Sequence, residues 1–404
     1  MSKEQEEMPP IYTEQPPGYE EDGGGKVCLL YKAIYGLKQA SRIWYQTICN
    51  FLLKCGFKVS KIDAGLFYRF TTDGEVTLLG IYVDDPFYLG NRLDRLLELE
   101  KEIQKKFDFR ILGELDHYLG IKYSRDWEKG TISANQGSYI DAATIAFNLE
   151  SASPVDSPLN PGQKIGRDRC PTDPDEITFM KRVPYRELIG LLMYIANGTR
   201  PDICYAVNML AQVASNPGRV HWEAAKRVVR YLKGTRDKCL TWGASSEGLV
   251  GYTDASHASE DLGYKSMSGY VVLFGGGAIS WSAKKQTLIA LSTAESEYIA
   301  MTHAAKELYW LHSLISEVFQ PLSGPLRLRA DNQSAIALAV NGYFSPRTKH
   351  IALRYHFIRE AIEHGIISLT WVGTHSNIAD LFTKALDSSK HTFFSSELGL
   401  HAHA

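Results

Sequence analysis

The sequence predicts a multidomain protein of the α+β and α/β classes, and three observations carry that reading. The chain has 404 residues, beyond the length at which a single hydrophobic core keeps growing, so more than one domain is expected. After Gly248 it alternates apolar runs of strand period with amphipathic runs of helical period in the order β-β-β-α-β-α-β-α, the pattern of a mixed sheet covered by helices. Residues 150–184 are rich in Pro, Asp and Ser and read as a linker or long loop between blocks.

Bulk properties narrow the class. A composition of 44% apolar and 22% charged residues is ordinary for a globular protein. The net charge of −2 neither requires nor excludes a nucleic-acid partner, since a basic groove can sit inside a neutral total. Six cysteines form no CxxC pair and have no histidine cluster at zinc spacing, which favours a reducing, intracellular setting over secretion. No run of roughly 18 uncharged apolar residues occurs, so no membrane span is expected.

In chain order, residues 1–25 are acidic and rich in Pro and Gly, a disordered or extended lead-in. In AIYGLKQASRIWYQTICNFLLKCGF, Trp44, Ile48, Phe51, Leu52 and Cys55 recur at helical spacing before Gly56, an amphipathic helix with a glycine stop. Lys38 and Arg42 lie one turn apart at its start, as a basic edge. Two strand-like runs follow, AGLFYRF and EVTLLGIYVDDPFYLG, the second dividing at Val83-Asp84-Asp85 as a hairpin with acids at its tip. Two like charges on a rigid element repel unless a cation or basic group sits between them. Pro86 holds Asp85 extended and removes one ladder donor. A charged helix from Leu93 to Phe107 comes next, then strands and a helix through LGELDHYLGIKYSR and TISANQGSYIDAATIAFN. Beyond the linker, helices are expected in YRELIGLLMYIANGTRPDICYAVNMLAQVA and HWEAAKRVVRYLKGT. The latter presents Lys226, Arg227, Arg230 and Lys233 along nearly one face, with Arg236 and Lys238 just beyond. Such a face is either a solvated helix edge or a track for a phosphate backbone.

The C-terminal block concentrates the candidate chemistry. Asp254 in GYTDAS, Glu297 in LSTAESEYIA, Asp331 in LRADNQSA and Asp380 in THSNIADLFTK each fall at the end of an apolar run or in the first turns of an amphipathic one. Ser292 and Glu295 fit a helix capping box, which gives Glu295 a structural task and leaves Glu297 without one. Asp380, near Ser376 or Asn377 as cap, could alone be a carboxylate answering a helix dipole. Together, oxygen ligands without Cys or His suit a hard cation such as Mg²⁺ and two-metal phosphoryl chemistry. His350, His356 and His375 are possible proton shuttles.

The motifs KAIYGLKQASRIWY, IYVDD, LGELDHYLGIKY, YRELIGLLMYIANGTRPDICYAVN, HWEAAKRVVRYLKGT, SMSGYVVLFGGGAISWSAKKQ, LSTAESEYIA, SPRTKHIALRYHFIRE and IADLFTKAL follow one another over residues 11 to 387. In this the sequence resembles the reverse transcriptase–ribonuclease H segment of copia-type LTR retrotransposon polyproteins. The resemblance implies a partial reverse transcriptase palm at 26–130, a helical thumb and connection region at 131–243, a ribonuclease H domain at 244–388 and a tail at 389–404. It also implies that Asp254, Glu297, Asp331 and Asp380 are catalytic and hold two Mg²⁺, with Mn²⁺ a possible substitute, for hydrolysis of the RNA strand of an RNA–DNA hybrid. Asp84 and Asp85 match two of three metal-binding polymerase aspartates. The segment Tyr35-Gly36-Leu37-Lys38-Gln39 matches the template and nucleotide site, and Lys38, Gln39, Arg42, Lys226, Arg227, Arg230 and Lys233 become candidate nucleic-acid contacts. His375 falls near the family's mobile-loop histidine.

There are also departures from the family pattern. The first polymerase aspartate would precede Ile11, where MSKEQEEMPP holds no such strand, so DNA synthesis by this stretch alone is not expected. Pro86, Ser41 and Ala352 depart from residues frequent in the family. Implied partners are RNA–DNA hybrid, RNA template and DNA, with self-association or other element-encoded proteins, and no membrane. The implied location is cytoplasmic, in a virus-like particle, or nuclear. Two further readings stand beside the ribonuclease H: a non-catalytic nucleic-acid-binding relic, and a polymerase completed by another chain.

Overall fold

The computed structural model describes residues 10–402 other than 22, 24, 32, 33, 35, 244, 260–262, 320–323 and 342–351, with backbone alone at 258, 259, 341 and 352–356. Tyr35 and His350, and the side chains of Ala352 and His356, thus lie outside what is described. The chain forms two compact units that divide after Ile111.

The first unit opens with β1 (Ile11–Glu14) paired antiparallel to β2 (Val27–Leu30). Part of the expected lead-in is therefore extended and paired. Helix α1 (Ala40–Lys54) buries Ile48 and Leu52, the residues whose helical spacing marked it. Gly56 ends it with φ +83°: its N–H donates to Leu53 O, and the Phe57 N–H to Leu52 O, a Schellman closure that needs the left-handed conformation glycine allows. Strands β3 (Lys58–Val59), β4 (Leu66–Phe70), β5 (Val76–Tyr82) and β6 (Asp85–Gly90) form an antiparallel meander in that order. Helix α2 (Leu93–Lys106) adds Leu99 and Ile103 to a core with Ile48, Leu52, Phe57, Phe67 and Leu79. Pro86 sits on the edge strand β6 opposite Ile81, where a missing backbone donor costs least.

The second unit begins with β7 (His117–Tyr118), β8 (Ile121–Asp126) and β9 (Thr131–Asn135), followed by α3 (Gly137–Ala146). The expected linker 150–184 is ordered and lies on the core: Leu159 and Ile165 are buried. Within it, α4 (Pro174–Met180) forms because Asp173 accepts from the N–H groups of Asp175 and Glu176 and Pro174 takes the first helical position. Helices α5 (Tyr185–Gly198), α6 (Cys204–Ala211) and α7 (Arg219–Gly234) pack around Leu188, Leu192, Val207, Leu210, Val228 and Leu232.

Strand β10 (Lys238–Trp242) precedes β11 (Val250–Ser259), β12 (Lys265–Phe274) and β13 (Gly277–Lys285). Then come α8 (Thr293–Val318), β14 (Leu326–Ala330), α9 (Gln333–Asn341), α10 (Ala352–Glu363) and β15 (Ile367–Trp371). The five strands order as β13-β12-β11-β14-β15, with β11–β14 and β14–β15 parallel and the rest antiparallel. This is the mixed sheet the sequence order called for.

Three expectations are corrected. Residues 389–404 are no tail: α11 (Ser388–Glu397) buries His391 and Phe394, and β16 (Leu400–Ala402) pairs with β10 to complete a sheet β16-β10-β9-β8-β7. The expected boundaries near 130 and 243 are not boundaries of packing. β7 and β8 share the sheet of β9 and β10, Met267 of β12 enters the core of α5–α7, and Leu240 of β10 packs with Val250, Val271 and Phe394. NIADLFTKAL, expected as a helix of α type, is a 3₁₀ turn over Ile378–Phe382, pinned at both ends to β11 as described below.

Candidate active site

The central strand β11 sets the geometry. Its parallel ladder with β14 ends at Thr253 opposite Ala330, while its antiparallel ladder with β12 runs on, pairing Asp254 with Gly269. Asp254 therefore lies within β11 and not at its end, but at the point where one neighbour stops. Asp331 leaves β14 at that same edge, and Asn332 beside it accepts from the Ala335 N–H to start α9. Ligand sites of sheets with parallel strands gather at such carboxyl ends.

Glu297 arrives from α8. Ser292 caps this helix by accepting from the Glu295 N–H at 3.2 Å, and the Glu295 carboxylate accepts from the Leu291 N–H at 2.8 Å. The capping task of Glu295 fixes the start of the helix, and Glu297 then points into the site. One carboxylate oxygen from each of Asp254, Glu297 and Asp331 lies within 4.8 Å of the others. Asp254 and Glu297 are 3% and 4% exposed, and Asp331 is half-buried.

Burial, with repulsion from neighbouring carboxylates added to it, disturbs Glu297 and Asp254. Glu297 is pushed up to about 9 by desolvation, with Asp254 and Asp331 adding to the rise. Asp254 is pushed up to about 6 by burial, opposed by Lys384 and reinforced by Asp380 and Asp331. Glu297 Oε2 is buried with no hydrogen-bond partner. Buried like charges with an orphaned oxygen suit a hard divalent cation, which would supply the missing positive charge and accept that oxygen as ligand. The residues present fit such an ion.

The fourth acid behaves differently. Asp380 is fully buried, but Lys384 Nζ is 2.7 Å from its Oδ1 and Lys390 Nζ, from α11, is 2.7 Å from its Oδ2. Lys384 also reaches to 3.7 Å from Asp254 Oδ2. The 3₁₀ segment is stitched to β11, for Asn377 Nδ2 donates to Thr253 O at 3.0 Å and the Thr383 hydroxyl donates to Asp254. Gly269 permits this approach: a Cβ there would stand 2.7 Å from Phe382 Cβ and Thr383 Cγ2. Trp371 donates its indole N–H to Asp331 O at 3.2 Å. His375 is exposed in a 3₁₀ turn over Thr374–Ser376.

Outside this cluster, Asp84 and Asp85 are exposed at the β5–β6 hairpin, as its sequence indicated. Val83 before them has φ 52°, a strained conformation for a β-branched residue. The Trp44 indole of α1 donates to Val83 O at 2.6 Å and holds the tip. Among the described residues no third acid joins that pair in a metal-sized group. Lys38, Gln39 and Arg42 are exposed around the start of α1.

The basic residues expected along α7 all find partners within the protein. Lys233 donates to the carbonyls of Leu149, Glu150 and Ala152, and Arg230 to Ser153 O. Arg227 donates to Ser157 Oγ, and Lys226 pairs with Glu223 at 2.7 Å. Arg227, Arg230 and Lys233 thus satisfy the turn that follows α3 and its extension, a tertiary partner that helical spacing cannot reveal, while Lys226 pairs within α7. Sequence reasoning in turn missed Thr383, Lys384 and Lys390. The Asp380–Lys384 spacing was a usable signal; Lys390 offered none, because its helix carries no periodic apolar pattern.

The sheet order with its acids at β11, α8 and the exit of β14 defines a ribonuclease H-like fold. A family profile described as reverse transcriptase (RNA-dependent DNA polymerase) matches residues 2–161. The retrovirus-related Pol polyprotein from transposon TNT 1-94 of Nicotiana tabacum is 38% identical over 97% of this chain, which spans 30% of that protein's length. The putative transposon Ty5-1 protein of Saccharomyces cerevisiae is 34% identical over 74% of this chain and 96% of its own. Among solved structures, LC11-RNase H1, isolated from compost, aligns with 34% of this chain and 92% of its own at 14% identity and a TM-score of 0.27. The chain belongs to the Pol polyprotein family of copia-type transposons, as a reverse transcriptase–ribonuclease H segment.

Proposed function

We propose that the second unit hydrolyses the RNA strand of RNA–DNA hybrids at the cluster of Asp254, Glu297, Asp331 and Asp380. The observation that carries the proposal is the convergence of three acids on one cation-sized space, one of them with an orphaned buried oxygen. Mg²⁺ or Mn²⁺, in one or two copies, would supply a polarised water and charge compensation at the scissile phosphate. Asp254, Glu297 and Asp331 would hold this positive charge, and Thr383 fixes the rotamer of Asp254 by its hydroxyl. Exposed His375 is the candidate to carry the proton to the leaving oxygen.

The test is cleavage of a labelled hybrid by the full chain with Mg²⁺. Asp254→Asn is expected to lower the rate by more than about 10³-fold, with its fold unchanged by circular dichroism. An intact hybrid after incubation with folded wild-type protein and Mg²⁺ would overturn the proposal. We assign no DNA synthesis to Asp84 and Asp85 by themselves, since no third acid joins them among the described residues. The setting we propose is intracellular, in a cytoplasmic particle or the nucleus, which suits a chain whose six cysteines are thiols.

A further inference from the structure

The candidate site carries its own cations. Lys384 lies between Asp380 and Asp254, at 2.7 and 3.7 Å, and Lys390 closes the far side of Asp380 at 2.7 Å. Of the converging acids, Asp254 has only the longer 3.7 Å contact with Lys384, and Glu297 Oε2 has no hydrogen-bond partner. Positive charge is thus concentrated at Asp380, with two ammonium groups at 2.7 Å, and thins out toward Glu297 and Asp331.

The two lysines differ in freedom. Lys390 is one-quarter exposed and sits on α11, which is anchored by His391 Nε2 against Asp202 O at 3.0 Å and by fully buried Phe394. Lys384 is 41% exposed and follows the 3₁₀ turn, so its ammonium has solvent to move into.

We propose that Lys384 and Lys390 guard a second cation position: one divalent ion binds tightly at Asp254, Glu297 and Asp331, and a second reaches Asp254 and Asp380 only by displacing the Lys384 ammonium. The reasoning is electrostatic. Ammonium and divalent ion compete for the same carboxylate oxygens, and both cannot stand within contact of Asp380 Oδ1 without strong repulsion. The affinity of the second ion is therefore lowered by the cost of expelling Lys384 from its 2.7 Å contact, while the first, which meets Lys384 only across 3.7 Å at Asp254, is lowered less. This inference rests on the proposed ribonuclease H reading for the identity of the site, and its test separates the two.

Calorimetric titration of the full chain with Mn²⁺ and with Mg²⁺ reads both positions without any activity measurement. Wild-type protein should show one tight and one weak event. Lys384→Met with Lys390→Met should tighten the second event about tenfold or more and the first by clearly less. Asp380→Asn should abolish the second event in either background. If the double variant is unstable, Lys384→Gln, which keeps the Lys390–Asp380 pair, carries the same direction. Two events of unchanged affinity in these variants, or a weaker second event, would overturn the guard and leave the ribonuclease H reading standing. No heat from any form with either ion would overturn both.

Discussion

Glu297 shows how the site trades stability for capacity to bind. Its side chain is 4% exposed, one oxygen has no partner, and its nearest charges are carboxylates. Burying such a group costs free energy that only a bound cation returns. In the absence of divalent ions, Glu297→Gln should therefore raise stability at neutral pH by about 2 kcal/mol, read as a higher urea midpoint. In their presence the wild type should gain and the variant should not. A variant less stable than wild type without metal would show that Glu297 is satisfied by protein groups instead. The choice of Glu297 over Glu295 was legible from residues alone, because Ser292 and Glu295 make a recognisable cap. Lys384 was half legible, since a Lys four residues after an Asp suggests a pair on a helix. The segment is instead a 3₁₀ turn, and the pairing survives through burial of Asp380.

At the scale of elements, the site depends on how tightly the 374–384 segment lies on β11 and β12. Gly269→Ala would place a methyl group 3.1 Å from Ala379 O and 2.7 Å from two side-chain carbons, pushing the segment off the sheet. The Thr383–Asp254 and Asn377–Thr253 bonds should then lengthen, and hybrid cleavage should fall about 10²-fold with a smaller loss of melting temperature. Cleavage equal to wild type would mean that the segment does not position Asp254.

A second inter-element lock joins α7, α11 and the turn before α6. Arg200 and Asp202, both buried, pair at 2.7 Å; the Tyr231 hydroxyl donates to Asp202, and His391 packs on Tyr231. Burial pushes Asp202 up, but Arg200, His391 and Tyr231 prevail and hold it down at about 2. Burial likewise lowers His391, against the pull of Asp202. Both folded values lie below the unfolded ones, so both groups contribute stability that is lost as pH falls. His391 acts below its unfolded value near 6.5, and Asp202 between about 4 and 2. Urea midpoints should decline on acidification in two stages, and His391→Gln should shrink the upper one, to which buried His221, lowered in the same direction, also contributes. This lock was not legible beforehand, because Tyr231 and His391 lie far in sequence from the Arg200–Asp202 pair. The face of α7 was legible; the partner that uses it was not.

At the scale of the whole chain, the strand and helix order after Gly248 predicted the mixed sheet covered by helices, since hydrophobic period is local. The extent of the folding unit was not predictable in that way, because it is decided by where buried faces find cover. The sheet β13-β12-β11-β14-β15 looks complete, but Val250, Tyr252 and Val271 are covered by Leu240, Phe394, Leu398 and Leu400, and the Trp281 indole donates to Ala196 O in α5. A fragment 245–388 would lack β10, β16, most of α11 and all of α5–α7, exposing a contiguous apolar face of the kind that drives aggregation. The unit that closes its own cores begins at Leu112. Residues 108–113 carry no helix or strand, and such unpaired backbone is where proteases cut. Limited proteolysis should therefore cleave first near Ile111 and leave a resistant fragment that runs to the C-terminus. Expressed alone, residues 112–404 should melt cooperatively and cleave hybrid with Mg²⁺, whereas residues 245–388 should be insoluble or molten. A soluble, cooperatively melting, active 245–388 fragment would show that the helices and β10–β16 are accessories, and that the packing across β11–β13 contributes little to holding the acids in place.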